Sequence, residues 1–149
     1  MNKILVPTDG SRPSDNALEY AAKLAKMYKT ELLALNVVRT GLITTHHWVS
    51  IKEKLEEELE KEAKEIVGRS VGRAESLGVT IEGIVRHGFP DEEIIALVKE
   101  RDDIDIIVMG AYGKDFVERR LVGSQTEKVL RGITELDVPL LVVPCPCKK

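Results

Sequence analysis

The chain has 149 residues, 43% of them hydrophobic and 32% charged, which fits one soluble globular domain with room for a real core. A net charge of −3 lacks the basic surplus of a nucleic-acid binder. Its longest apolar runs, such as residues 139–143 (Pro139-Leu-Leu-Val-Val143), are far too short to cross a membrane.

Residues 3–8 form a short apolar run ending in Pro7-Thr8, read as a buried strand rather than the core of a signal peptide, so a cytoplasmic location is expected. After Asp9-Gly10, Ser11 and Pro13 give a helix-start signal, and Ala17, Leu18, Ala21, Leu24, Ala25 and Tyr28 follow at helical spacing. Residues 31–38 read as a second strand. Residues 39–50, with His46, His47 and Trp48, lack periodicity and read as a long loop. A long helix is predicted over residues 51–77, with Ile51, Leu55, Leu59, Ala63, Ile66 and Ala74 in one stripe. Strand 79–86, a short helix over 91–100 and strand 104–109 come next. Helix 124–132 and strand 139–143 complete the order. Five apolar strands alternating with four helices imply strands buried on both faces, hence a doubly wound α/β domain with a parallel sheet. No internal repeat or linker divides it, and residues 1–149 are expected to form one domain.

The chemistry concentrates where strand 104–109 runs out. Gly110-Ala-Tyr-Gly113-Lys114, then Gly123-Ser124-Gln125-Thr126, reads G-x2-G-x9-G-S. Glycines let backbone approach a ligand closely, and the third opens a helix whose first N–H groups can hold an anion. In an open parallel sheet, ligands bind beyond the carboxyl ends of the strands where strand order reverses. If the first and fourth strands are neighbours, Asp9 faces this glycine run across one crevice. Asp9 can then accept hydrogen bonds from ribose hydroxyls or support a metal. The amides of Gly113, Gly123 and Ser124, with the Ser124 and Thr126 hydroxyls, can hold phosphates. Lys114, Arg119 and Arg120 can add charge. Each piece also has a structural reading. Ser124 to Glu127 spells a capping box, Asp9-Gly10 a turn before a capped helix, and the arginine pair a solvated face.

Nothing in the chain supplies a strong catalytic set. It has neither G-x-x-x-x-G-K-[ST] nor G-x-G-x-x-G, and its three histidines lack metal-motif spacing. The two cysteines lie in a terminal Cys145-Pro-Cys147. They are expected to be a free, reducible tail, the alternative being a disulfide or metal contact between two chains. Gln125 is the only glutamine among many Lys and Glu residues, a composition similar to that of thermophile proteins.

Taken together, the opening Lys3-Ile-Leu-Val-Pro-Thr-Asp9-Gly-Ser11-x-x-Ser14, Gly88-x-Pro90, the G-x2-G-x9-G-S run and the closing Val138-Pro-Leu-Leu-Val-Val143 resemble the universal stress protein family, over essentially the whole chain. The resemblance implies a Rossmann-like, adenine nucleotide α-hydrolase-like fold with strand order 3-2-1-4-5, and the ATP-binding class of that family. It implies that Pro7, Thr8 and Asp9 line the adenosine side, with Asp9 on ribose, and that Val37 or Val38 meets adenine through backbone. Met109 and Gly110 would flank ribose, and Gly113, Lys114, Gly123, Ser124, Gln125 and Thr126 would surround the phosphates of ATP (or AMP or ADP) with Mg2+ or Mn2+. Tyr112 and Gln125 depart from the family pattern, which often has His or Arg and a small apolar residue there. The resemblance also implies a homodimer through the last strand, a stress or signalling role through an unidentified protein partner, and at most slow ATP hydrolysis. The alternative is a weak ATPase or adenylate-handling enzyme of the same fold. If Gly123 serves close phosphate approach, Gly123→Val is expected to abolish binding without unfolding the domain.

Overall fold

The structure, a computed structural model, describes residues 2–39, 49–112 and 122–145. Its elements follow in the order β1 (Lys3–Pro7), α1 (Arg12–Tyr28), β2 (Glu31–Arg39), α2 (Val49–Ser76), β3 (Ile81–Gly88), α3 (Pro90–Glu100), β4 (Ile104–Gly110), α4 (Ser124–Gly132) and β5 (Leu140–Val143). All four strand pairings are parallel and the sheet order is β3-β2-β1-β4-β5. This is the doubly wound order, with β1 between β2 and β4, and the crossovers reverse direction on either side of β1.

Two apolar layers cover the two faces. On one, Ile4, Val6, Leu32 and Val108 pack under Ala17, Leu18, Ala21 and Ala25 of α1, with Ala74 of α2. On the other, Leu5, Leu33, Leu35 and Ile107 pack under Ile94 and Leu97 of α3 and Val129 of α4. The alanine-rich face of α1 lets that helix lie close to the sheet, and its start is fixed as its residues require. Ser11 is the N-cap, its hydroxyl accepts the Ser14 N–H at 3.3 Å, and Pro13 stands in the first turn. The predicted stripes overreach at two places. Tyr28 is 56% and Ile51 51% exposed, the one closing α1 and the other in the first turn of α2. Strand β3 begins two residues later than periodicity places it. Val79 is still buried, but its N–H serves the α2 end, bonding Ala74 O at 3.0 Å.

The amino ends of the strands carry a charge network. Lys3 Nζ lies 3.6–3.9 Å from carboxylate oxygens of Glu31, Glu82 and Asp103, and Arg101 pairs with Asp103 at 2.8 Å and Glu82 at 3.1 Å. The Arg101 guanidinium, hydrogen-bonded to Asp103, holds that carboxyl below its ordinary range. A carboxyl with a depressed folded pKa stabilises the fold above its unfolded pKa, and that stabilisation is lost as pH falls through the folded value. We therefore expect Arg101→Gln to lower Tm at pH 7 by about 2–4 °C, the consequence of ~1 kcal/mol from a part-exposed network. The two melting curves should converge as the pH falls through the lowered Asp103 value, because the carboxyl is then protonated in both proteins.

Candidate functional site

A cavity of about 430 Å³ opens at the carboxyl end of the sheet, lined from β1, β2 and β4 and from α2, α3 and α4. Its origin is a difference in strand length. In register, Pro7 of β1 faces Leu35 of β2, and Thr8 N–H bonds Leu35 O at 2.8 Å. Beyond that point β1 turns away, while β2 continues beside β3 to the pair Arg39–Gly88. Backbone polar groups alternate sides along a strand. Leu35 faces β1, so Val37 directs its N–H and C=O to the same side, where β1 has already left. Val37 and Val38 both line the cavity, and Val37 turns its N–H and C=O towards the side that β1 has left.

The departing β1 chain is held in place by side chains. Asn36 Nδ2 donates to Thr8 O at 2.8 Å within the buried interior, and the Thr8 and Ser14 hydroxyls are 3.2 Å apart. Asp9 Oδ1 accepts the Ser11 N–H at 3.0 Å, closing the turn that caps α1, while Arg69 donates to Gly10 O at 3.1 Å. Asp9 thus belongs to the helix-capping turn and to the cavity wall at once. Asn36, Ser14 and Arg39 also line the cavity, and sequence reading passed over them. Asn36 carried a usable signal, since it is the one polar residue within the buried run of β2.

Across the cavity stands the end of β4 with the start of α4. Met109 and Gly110 line the wall, as do Gln125 and Thr126. Gly110 is needed for packing: a Cβ there would lie 2.9 Å from the Pro13 carbonyl oxygen of α1. Gly123 is likewise occupied by the fold. A Cβ on it would come 3.0 Å from Tyr112 Cα, and its N–H already bonds Ala111 O at 2.6 Å. Its amide therefore serves the chain crossing in this structure. Gly123 is the N-cap of α4 without a side-chain cap bond, so Ser124 is the first helical residue and the capping-box reading of Ser124 to Glu127 does not hold. The Thr126 hydroxyl donates to Gly110 O at 3.0 Å, so its proton ties helix to strand instead of reaching outward. The amides of Ser124, Gln125 and Thr126 precede the first intrahelical bond of α4, Glu127 N–H to Gly123 O.

Tyr112 reaches the other way, its hydroxyl donating to Cys145 O at 3.2 Å, and so links the glycine turn to the tail. Cys145 is disulfide-bonded, against the free, reducible tail expected. Gly113, Lys114, Arg119 and Arg120, like His46, His47, Trp48 and Cys147, lie outside the described residues. The roof comes from α2, through Leu59, Ala63 and Ile66, with Pro90 and Ile94 of α3 on the far side. Next to this roof, His87 at the end of β3 contacts Glu60 of α2. Among the described residues no group of three or more His, Cys, Asp or Glu side chains is placed to hold a metal ion.

This arrangement, a crevice at the switch point of a 3-2-1-4-5 sheet, is matched by comparison with known proteins. The model of the universal stress protein family matches residues 1–144. The chain belongs to that family. Universal stress protein MJ0531 of Methanocaldococcus jannaschii is 36% identical over 151 residues, covering 99% of this chain and 84% of the relative. The solved structure of universal stress protein UspA from Lactobacillus plantarum superposes with a TM-score of 0.81 at 27% identity, covering 95% of this chain and 97% of the other. A universal stress protein solved in complex with cAMP shares the fold, with a TM-score of 0.70 at 24% identity and coverage of 95% and 96%.

Two substitutions test the packing role of the glycine run in this family member. Gly110→Ala, pressed against a backbone carbonyl, should destabilise the ligand-free protein by about 1–3 kcal/mol, seen as a lower denaturant midpoint at unchanged slope. Gly123→Val should also lower that midpoint, because Tyr112 backbone fills the space; a wild-type midpoint for Gly123→Val would show that the crossing is not tight.

Proposed function

We propose that this universal stress protein binds an adenine nucleotide, with ATP the leading ligand, in the cavity at the β1–β2–β4 strand ends. The observation that carries this reading is the pairing of an open strand edge at Val37 with the free amides of α4 across one 430 Å³ crevice. That volume lies within the roughly 300–1,000 Å³ of small-molecule sites. A flat base with donor and acceptor on one edge fits the N–H and C=O of Val37, with Leu35, Ala63, Ile66 and Ile94 supplying apolar contact. Ribose then lies over Pro7, Thr8, Asp9, Met109 and Gly110. Phosphates fall to the amides of Ser124, Gln125 and Thr126, where helix partial charge favours an anion, with Gly113 and Lys114 completing the phosphate side. The Mg2+ or Mn2+ is assigned to the phosphates, with Asp9 and Glu62 the carboxylates on the cavity wall. The cAMP complex of a fold relative is consistent with this ligand class.

In this reading the protein is one cytoplasmic domain that acts by occupancy. It pairs with a second copy through the edge strand β5, and nucleotide binding alters its contact with a protein partner. Asp9, already fixed by the Ser11 N–H, is a positioned acceptor in this scheme and not a base for attack by water.

Titration calorimetry of the nucleotide-stripped chain with ATP and Mg2+ tests the proposal, and absence of binding at millimolar ATP would overturn it. Asp9→Asn retains an oxygen for the Ser11 N–H, so the fold should survive. Its affinity for ATP should fall about ten-fold, the equivalent of ~1.4 kcal/mol, if the carboxylate accepts from ribose. A sedimentation or scattering mass of one chain at micromolar concentration would remove the β5 pairing.

A further inference from the structure

The turn that carries Asp9 is gripped from outside by α2. Arg69 Nη2 donates to the Gly10 carbonyl oxygen at 3.1 Å. Gly10 has a φ of +81°, and a Cβ on it would lie 3.0 Å from Arg69 Nη2 and 3.2 Å from Ile66 Cγ1, so turn and helix meet closely. Ile66 lines the cavity, and Arg69 stands three residues on, on the same side of α2. Arg69 also acts on Asp15 in the first turn of α1, a carboxyl that burial pushes up while Arg69 and Arg73 pull it down. The guanidinium is thus lodged between the roof helix, the Asp9-Gly10 turn and the helix that this turn caps.

We infer that Arg69 is a positioning residue for Asp9, acting through the single peptide group that joins Gly10 to Ser11. This rests on the adenine-nucleotide reading above, in which Asp9 accepts from ribose, and adds a residue outside the cavity to it. The carbonyl that accepts from Arg69 and the N–H that holds Asp9 Oδ1 at 3.0 Å belong to that one peptide. A trans peptide is planar, with its oxygen and its hydrogen on opposite sides. Fixing the carbonyl on Arg69 therefore fixes the N–H on the carboxylate. Glycine tolerates a wide range of backbone angles, so Gly10 leaves the tilt of this peptide to its partners. A cation on the carbonyl also polarises the peptide and strengthens its N–H as a donor, as linked hydrogen bonds do. Because Arg69 is exposed, its bond adds little to stability, and its consequence lies in the direction it gives Asp9. No local motif shows this, since Arg69 lies 59 positions from Gly10 in the chain.

The test uses the nucleotide-stripped full chain as wild type, Arg69→Met, Asp9→Asn and the double variant. Without ligand, the Ser11 amide proton, read by NMR, should move upfield in Arg69→Met, because the cation that polarised its peptide is gone. Titrated calorimetrically with AMP, Arg69→Met should bind about five-fold more weakly than wild type, the scale of one hydrogen bond. The double variant should bind no more weakly than Asp9→Asn alone, because both residues lie on one chain of bonds. An Arg69 that only held the fold together would leave the Asp9→Asn loss to multiply with its own. Arg69→Gln carries the same comparison should Arg69→Met not fold. An unmoved Ser11 amide, an unchanged affinity for AMP in Arg69→Met, or multiplied losses in the double variant each overturn the positioning role and leave the nucleotide reading intact. A wild type that does not bind AMP overturns the nucleotide reading itself, and the positioning role falls with it.

Discussion

Strand β1 stops at Pro7, opposite Leu35, while its neighbour β2 runs on beside β3 as far as Arg39. Everything at the carboxyl end of the sheet depends on that early stop. A central strand that continued would pair the edge of Val37 and fill the crevice with its own side chains. The turn away is fixed by the chain itself: Asn36 holds the Thr8 carbonyl, Asp9 holds the Ser11 amide, and Ser11 caps α1. Leaving the Thr8 carbonyl without Asn36 would strand a buried acceptor at a cost of about 1–3 kcal/mol. The cavity is thus a rigid consequence of the fold and requires no moving part to exist.

The glycine run is a packing device before it is a cradle. Gly110 lets β4 meet the first turn of α1, and Gly123 lets the chain cross Tyr112 on its way into α4. The Thr126 hydroxyl then locks that helix to the Gly110 carbonyl. These contacts set the first turn of α4 at the strand ends, where Gln125 and Thr126 line the cavity. Glycine spacing therefore sets the direction of a helix before it does anything else.

Much of this was legible in the sequence because it is local. Strand and helix order followed from apolar periodicity, and the N-cap at Ser11 from side-chain chemistry. The placement of Asp9 against Gly110 needed only the adjacency of β1 and β4, which the sheet supplies through Leu5 and Ile107. What was not legible is non-local. Periodicity cannot tell that Tyr28 and Ile51 stay exposed near their helix ends, since exposure there depends on which elements pack against them. Nor can spacing reveal that the Gly123 amide is already engaged by Ala111, or that Tyr112 turns to the Cys145 carbonyl. Asn36 was visible as a polar residue in an apolar strand, but its partner is twenty-eight positions away in the chain.

The wall that closes the cavity also offers a route outward. Of the elements around the crevice, β1, β2, β4 and the first turn of α4 are tied together by buried hydrogen bonds and by the two apolar layers. Helix α2 is held differently. Its later turns bury Ala63, Ile66 and Ala74, whereas its earlier turns hold exposed Ile51 and the side-chain contact of Glu60 with His87. An occupant pressing on Leu59, Ala63 and Ile66 therefore meets a helix anchored at one end and lightly held at the other. A ligand shifts an equilibrium only by its differential affinity for two states, and a lightly held element is where such states differ least in energy. The first turns of α2 are thus the least tied part of the cavity wall among the described residues, and the strand ends are its most tied part.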